Sequence, residues 1–174
     1  MSQFLFVIWL VFQNTASAEQ STIAPAAFVK AMDREFHQLY DAPEIEISML
    51  IRHSCEDGYE LACDWKKARS KETDIWSENS IDFFATWCQT DVPYACVVQG
   101  WLLTQNKYST GIPRKTKNTT AAIALFEDAC TQGEHRGCLE IGRLFVFNIT
   151  DQVSPESGFS LVENSCNQGD LRSC

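Results

Sequence analysis

Sequence motifs of the common hydrolases, zinc enzymes and redox proteins are missing from this chain of 174 residues. The three histidines are scattered, and neither an HExxH motif nor a cysteine and histidine cluster at zinc-binding spacing occurs. A GxSxG motif, a glycine-rich phosphate loop and a C-x-x-C redox pair are also absent. The sequence therefore predicts no catalytic residue, no metal site and no cofactor.

Basic side chains are scarce relative to acidic ones. The chain carries 14 lysine and arginine residues against 23 aspartate and glutamate residues, which gives a formal net charge of -9 at pH 7. An acidic surface repels the phosphate backbone of nucleic acids and the anionic headgroups of lipids. Nucleic acid is therefore not expected as a partner.

Long apolar runs are also rare, and the clearest one, FLFVIWLVF at residues 4–12, is too short to span a bilayer. The sequence Ala16-Ser17-Ala18 follows it and is typical of a signal-peptidase site. Residues 1–18 are therefore predicted to be a signal peptide, and the mature chain is predicted to be secreted or periplasmic without a transmembrane segment. No lysine or arginine precedes the run, so an uncleaved anchor is the alternative.

The eight cysteines fall into four pairs that share one spacing, C-x7-C. The pairs are Cys55/Cys63, Cys88/Cys96, Cys130/Cys138 and Cys166/Cys174. In an oxidising compartment, an even number of cysteines at regular spacing indicates a disulfide framework, whereas the same cysteines in the cytosol would suggest metal ligands. Since the chain is predicted to be exported, we expect each pair to form a local bridge. No lone thiol then remains to act as a nucleophile.

The residues around the cysteines repeat as well. The third residue after each first cysteine is Gly58, Asp91, Gly133 or Gly169. The residue before each second cysteine is small, being Ala62, Ala95, Gly137 or Ser173. The first cysteines recur at steps of 33, 42 and 36 residues, and a fixed unit recurring in this range is typical of a solenoid.

Apolar residues recur at helical spacing along most of the chain, and the alternation typical of strands is absent, so the sequence predicts an all-α protein. Predicted helices that run into a first cysteine cover 44–56, 79–89, 119–131 and 156–167. Predicted helices that begin near a second cysteine cover 59–70, 93–105 and 135–148. Residues 19–43 are predicted to form an N-terminal capping helix, with an apolar face made by Ala27, Phe28, Ala31, Met32, Phe36 and Tyr40.

The C-x7-C spacing predicts a helical hairpin, in which one helix ends near the first cysteine and the next begins near the second. Helix axes normally lie about 8–10 Å apart, whereas the Cα atoms of a disulfide must approach within about 7 Å. The small residue before each second cysteine is expected to relieve the resulting crowding.

Residues 111–145 resemble a Sel-one-like repeat, a relative of the tetratricopeptide repeat, in its cysteine-rich exported branch. The matching positions are Gly111, Ala121, Leu125, Phe126, Ala129, Cys130, Gly133, Gly137, Cys138 and Gly142. Two units depart from the pattern, since Asp91 replaces the turn glycine and Lys67 stands where the others have Gly100 and Gly142. The resemblance covers residues 44–174 and implies an α/α superhelical solenoid of disulfide-clamped helix hairpins.

The resemblance implies a scaffold that mediates protein-protein or peptide binding on its repeat surface. It also implies an alternative, because some proteins of the cysteine-rich branch are described as binding penicillin-like compounds or hydrolysing β-lactams. Serine β-lactamases need a serine with a lysine three residues on, together with S-D-N and K-T-G elements, and none of these occurs here. Hydrolysis of a chromogenic cephalosporin would distinguish a β-lactamase-like hydrolase from a binding scaffold.

Tryptophans are concentrated in one part of the chain, at Trp65, Trp76, Trp87 and Trp101. Aromatic side chains often anchor interfaces, so Trp65 and Trp76 are candidate partner-binding residues. Core packing is the alternative, since Trp87 and Trp101 lie beside the cysteine motifs.

The segment 107–117 carries four basic side chains and no acidic one. The basic residues are Lys107, Arg114, Lys115 and Lys117. In so acidic a protein, this loop is predicted to contact an acidic segment of a protein or peptide partner. A solvated loop without a partner is the alternative.

Overall fold

The computed structural model describes residues 24–37, 44–71, 75–104, 118–147 and 155–167, with the side chains of residues 37 and 155–157 excepted. All regular structure in these ranges is helical, which confirms the all-α prediction. The helices are α1 (Ala26–His37), α2 (Glu44–Glu56), α3 (Glu60–Arg69), α4 (Glu78–Cys88), α5 (Pro93–Thr104), α6 (Thr119–Thr131), α7 (His135–Val146) and α8 (Pro155–Asn167). Their ends lie within two residues of those predicted for α2 to α8. The predicted signal peptide lies outside the described residues.

Local sequence explains several helix starts. Ser77 precedes α4, and its Oγ accepts a hydrogen bond from the Ser80 amide at 3.3 Å, which satisfies a backbone donor of the first turn. Proline opens α5, where its fixed φ suits the helix and its missing N–H costs nothing. Before α7, the Glu134 carboxylate accepts from the Arg136 amide at 3.1 Å.

Three hairpin turns lie within the described ranges, and they share one backbone feature at the residue two positions before the next helix begins. Gly58, Asp91 and Gly133 all have positive φ, at 92°, 59° and 87°. In the first turn the Tyr59 amide donates to the Ser54 carbonyl at 3.0 Å, which is the six-residue hydrogen bond of a Schellman motif. The repeated sequence position therefore ends a helix in each of these turns. Its positive φ is kept at Asp91, where the other two turns have glycine.

Successive helices pack against each other along the chain, with α1 on α2, α2 on α3, α4 on α5, α5 on α6, α6 on α7 and α7 on α8. Helix α5 also contacts α7. Between α3 and α4 the contact is aromatic, since the Trp65 ring lies 5.2 Å from that of Phe83 and 4.8 Å from that of Phe84. No helix in the described part of the chain is long and apolar enough to cross a membrane.

Small residues lie where α6 and α7 approach most closely. A Cβ added at Gly137 would meet the Phe126 carbonyl oxygen at 2.5 Å and the Cys130 amide nitrogen at 2.8 Å. The other residues at this repeat position, Ala62 and Ala95, are fully buried. The repeat thus uses small side chains where helix backbones must come close.

Helix α1 contacts three helices that are far apart in sequence. The Phe28 ring lies 5.2 Å from that of Tyr59, before α3, and 6.0 Å from that of Tyr94 in α5. Asp33 accepts from the Arg136 guanidinium of α7 at 3.2 Å. Helices α3, α5 and α7 therefore share a face, and α1, from the segment predicted to be an N-terminal cap, lies along it.

Candidate functional site

Three of the predicted cysteine pairs are joined by disulfides at the hairpin turns. The Cα atoms are 4.6 Å apart in Cys55–Cys63, 4.7 Å in Cys88–Cys96 and 4.9 Å in Cys130–Cys138. Each bridge connects the end of one helix to the start of the next. In the fourth pair, Cys166 is half-buried on α8, whereas Cys174 lies outside the described residues.

Trp65 is a core residue, which corrects its prediction as a partner-binding residue. Its side chain is 1% exposed, and its Nε1 donates a hydrogen bond to the Glu35 carboxylate at 3.1 Å. Phe36, Phe83 and Phe84 surround the indole with ring centroids 4.8–6.1 Å away. The aromatic concentration in this part of the sequence therefore builds the core, and Trp65 offers no surface to a partner.

Trp76 is half-buried beside the same aromatic cluster. Its ring meets the Phe36 ring edge to face, with centroids 5.4 Å apart. A part of this side chain remains at the surface, so the structure places only one of the two candidate tryptophans within reach of a partner.

The basic loop predicted to contact a partner lies outside the described residues. Lys107, Arg114, Lys115 and Lys117 all belong to the segment between α5 and α6, and their role stays a prediction.

Ionic contacts, one of them with a buried carboxylate, hold α1 in place. The Glu35 carboxylate is 5% exposed and accepts hydrogen bonds from Trp65 and from the Arg69 guanidinium. Burial raises the pKa of Glu35 above its usual value, while Arg69 and Trp65 act in the opposite direction. Arg34 pairs with Glu46 of α2, and this contact lowers the pKa of the Glu46 carboxyl. Helix α1 is thus fixed by charge as well as by its apolar face.

An open cleft of about 370 Å³ lies between α2 and α3. Its apolar lining includes Ile45 and Met49, which are 71% and 53% exposed, and the buried Ile51. Arg52 of α2 and Lys66 and Arg69 of α3 also line it.

None of the described residues that line the cleft is acidic, although the chain as a whole carries a charge of -9. This combination of exposed apolar side chains with cations suits a ligand that is apolar and negatively charged. Sequence reasoning missed the cleft, but a signal for it exists, because Ile45, Met49 and Arg52 recur at i, i+4 and i+7 on one side of α2.

One group of potential metal-binding atoms occurs in the described ranges. The sulfur atoms of Cys88 and Cys96 and a carboxylate oxygen of Asp128 lie within 4.8 Å of one another. Because the two sulfur atoms form a disulfide, they are not thiolate ligands, and the group is a bridge with a neighbouring exposed carboxylate.

Comparison of the chain with protein-family models, curated proteins and solved structures finds no match.

Proposed function

We propose that this protein is an exported, disulfide-stabilised solenoid of Sel-one-like repeats that serves as a scaffold for binding another protein or a peptide. The observation that carries the proposal is the contact of α1 with α3, α5 and α7 through Tyr59, Tyr94 and Arg136. When helix pairs stack, every second helix contributes to one continuous face. Contact of α1 with α3, α5 and α7 is the arrangement expected if these helices form such a face.

The repeated turns support the stacked arrangement. Each described hairpin combines a disulfide with a residue of positive φ, and the sequential packing continues from α4 to α8 without interruption. Units with the same turn geometry and the same clamp are expected to add with a constant rotation, which produces a superhelix.

The contacts of α1 also support a binding function. Phe28, Met32 and Phe36 recur along one side of α1 at spacings of four residues, and all three are fully buried. This is the pattern by which grooves recognise amphipathic helices. The repeat face therefore has the chemistry needed to hold a helix, and in this chain α1 already occupies it. A partner is then expected on the surfaces that α1 leaves exposed.

The disulfides support an exported location. Bridges of this kind persist in secreted and periplasmic proteins and are reduced in the cytosol. The predicted signal peptide before residue 19 is consistent with that location.

Photo-cross-linking in the native host tests the proposal. A photoreactive phenylalanine analogue is placed at Met49 or at Phe159, both exposed and apolar, and at the exposed polar residue Glu127 as a matched control. We expect a discrete cross-linked protein or peptide from at least one apolar position and no product from the control. The cross-linked product should disappear when the disulfides are reduced before irradiation. If no position gives a discrete product in the exported protein, the scaffold function is refuted.

A further inference from the structure

We infer that the cleft between α2 and α3 is a docking site for an acidic amphipathic segment of a partner. This inference names a site and a ligand chemistry for the proposed binding function, and it rests on that function. It depends on three features of the cleft, which are its exposed apolar side chains, its cations and the position of those cations relative to the acids of the chain.

The apolar part comes from a side of α2 that the fold leaves uncovered. Ile47 and Ile51 are buried, at 7% and 1% exposure, whereas Ile45 and Met49 are 71% and 53% exposed. At 100° per residue, Ile45 and Met49 lie on the side of the helix roughly opposite to Ile47. Two large apolar side chains one helical turn apart can contact an apolar stripe on a second helix.

The cationic part has two charges that are already paired and one that is available, and the first of the paired charges is Arg52, which lies 3.8 Å from Glu56. Arg69 pairs with the buried Glu35 and lies 3.6 Å from Glu44, so its guanidinium is held at the wall of the cleft. Lys66 is exposed and has no ion pair with any residue in the described ranges. Its ammonium can therefore receive a carboxylate of a ligand without breaking an ion pair to any of the described residues.

Charge complementarity identifies the occupant. Arg52 lies 3.8 Å from Glu56 and Arg69 pairs with Glu35, so Lys66 is the cation of the lining that a ligand can neutralise. A positively charged or neutral apolar ligand would leave the Lys66 charge uncompensated, whereas a carboxylate next to an apolar residue pairs with it. Because the chain as a whole carries a charge of -9, long-range attraction of an acidic ligand depends on local patches without acidic side chains, such as this one. The chemistry therefore selects a segment in which large apolar residues at helical spacing are separated by glutamate or aspartate.

The test uses a fluorescein-labelled synthetic peptide with leucines at helical spacing between glutamates. Two further peptides replace its glutamates by lysine or its leucines by serine. Fluorescence anisotropy with the full mature chain measures binding, and backbone amide shifts in NMR spectra locate it. We expect the acidic leucine peptide to bind, both altered peptides to bind more weakly, and the amide shifts to concentrate in α2 and α3.

Neighbouring lysines on α3 provide the matched variants. Lys66→Glu reverses a charge that lines the cleft, whereas Lys67→Glu makes the same change in net charge at an exposed residue outside it. We expect Lys66→Glu to weaken the acidic peptide by about five- to tenfold at low salt, and Lys67→Glu by less than about twofold. Met49→Ser should also weaken it, while Val146→Ser, at a similarly exposed residue that does not line the cleft, should not.

Equal losses for the two lysine variants, or amide shifts outside α2 and α3, would overturn the cleft as the site while leaving peptide binding in place. Failure of the wild-type chain to bind the acidic peptide overturns the inference but not the scaffold function, which depends on cross-linking of the native partner. Concentration-dependent dimers that Met49→Ser abolishes would instead assign the cleft to a second copy of this chain, and would also overturn the inference.

Discussion

Replacing Gly137 by alanine tests whether the disulfide hairpin depends on close approach of two helix backbones. The added Cβ would lie 2.5 Å from the Phe126 carbonyl oxygen and 2.8 Å from the Cys130 amide nitrogen. Both atoms belong to the backbone of α6, so no side-chain rotation can relieve the contact. The Cys130–Cys138 bridge also keeps α7 from moving away, since it holds the two Cα atoms 4.9 Å apart.

Two effects of opposite sign determine the size of the change. Alanine stabilises a helix interior by about 1 kcal/mol relative to glycine. Overpacking of a close contact costs about 1–3 kcal/mol, and a contact with backbone falls at the upper end of that range. We therefore expect a net loss of about 1–2 kcal/mol in the free energy of unfolding, which corresponds to a fall of about 2–8 °C in Tm for a protein of this size.

Thermal and urea denaturation of the oxidised protein measure this change. Gly158→Ala is the matched control, because the three atoms nearest to its added Cβ all belong to the Phe145 side chain and lie at 3.0–3.1 Å, farther than the two backbone atoms that Gly137→Ala would meet. Gly137→Ala is also made in a chain with serine at Cys130 and Cys138. Without the bridge α7 can move away, so the loss in the free energy of unfolding should be smaller. An unchanged or higher Tm for Gly137→Ala, or the same loss with and without the bridge, would refute the reasoning.

The remaining predictions concern the turns, the bridges and the buried acid. Asp91→Gly should raise the free energy of unfolding by about 0.5–1 kcal/mol because Asp91 has a φ of 59°, and a fall in Tm would contradict this. Replacing both cysteines of the α6–α7 disulfide by serine should lower Tm more than replacing Cys166 and Cys174, because an internal disulfide supports helix interfaces on both of its sides. Equal decreases in Tm would count against a stacked array. The pKa of Glu35 is raised in the folded state, so the folded chain binds this proton more tightly than the unfolded chain. Wild-type stability should therefore fall as pH rises from about 4.5 through the folded pKa, and it should fall more steeply than the stability of Glu35→Gln. Urea titrations at several pH values measure both curves, and parallel curves would argue against the raised pKa.

The hairpin turns are the part of the fold that the sequence predicts best. Their signal is local, because the cysteine spacing, the turn residue and the small residue before the second cysteine all lie within one short segment. The positive φ of Asp91 shows that the turn conformation survives a residue that disfavours it. A disulfide flanks this turn as it does the turns at Gly58 and Gly133, so the repeated position carries more information than the residue type.

The environment of α1 could not be predicted in the same way. Its apolar face is visible in the sequence, and Phe28, Met32 and Phe36 are indeed buried. What covers that face depends on contacts between distant segments, such as the pairing of Asp33 with Arg136 across 103 residues. A helical pattern identifies the face but not its partner, and this is also why Trp65 was a candidate for the surface.

The cleft residues were missed because α2 is apolar on two sides. Ile47 and Ile51 face the core, while Ile45 and Met49 are exposed, and spacing alone does not say which pair is buried. The positions of α1 and α3, which both pack on α2, decide between them. The exposed pair then becomes informative, since the fold gives it no internal partner among the described residues.

The packing of α1 determines where a partner can bind. Displacing this helix would expose Phe28, Met32 and Phe36, each of which contributes about 1.5–3 kcal/mol by burial, or roughly 5–9 kcal/mol together. A partner that binds with a Kd of about 1 μM gains about 8 kcal/mol, so displacement would consume nearly all of that gain. The ionic contacts of Glu35 and Asp33 would be lost in addition. A partner that leaves α1 in place avoids this cost, and the α2–α3 cleft allows that because the exposed parts of Ile45 and Met49 are accessible without any movement of α1.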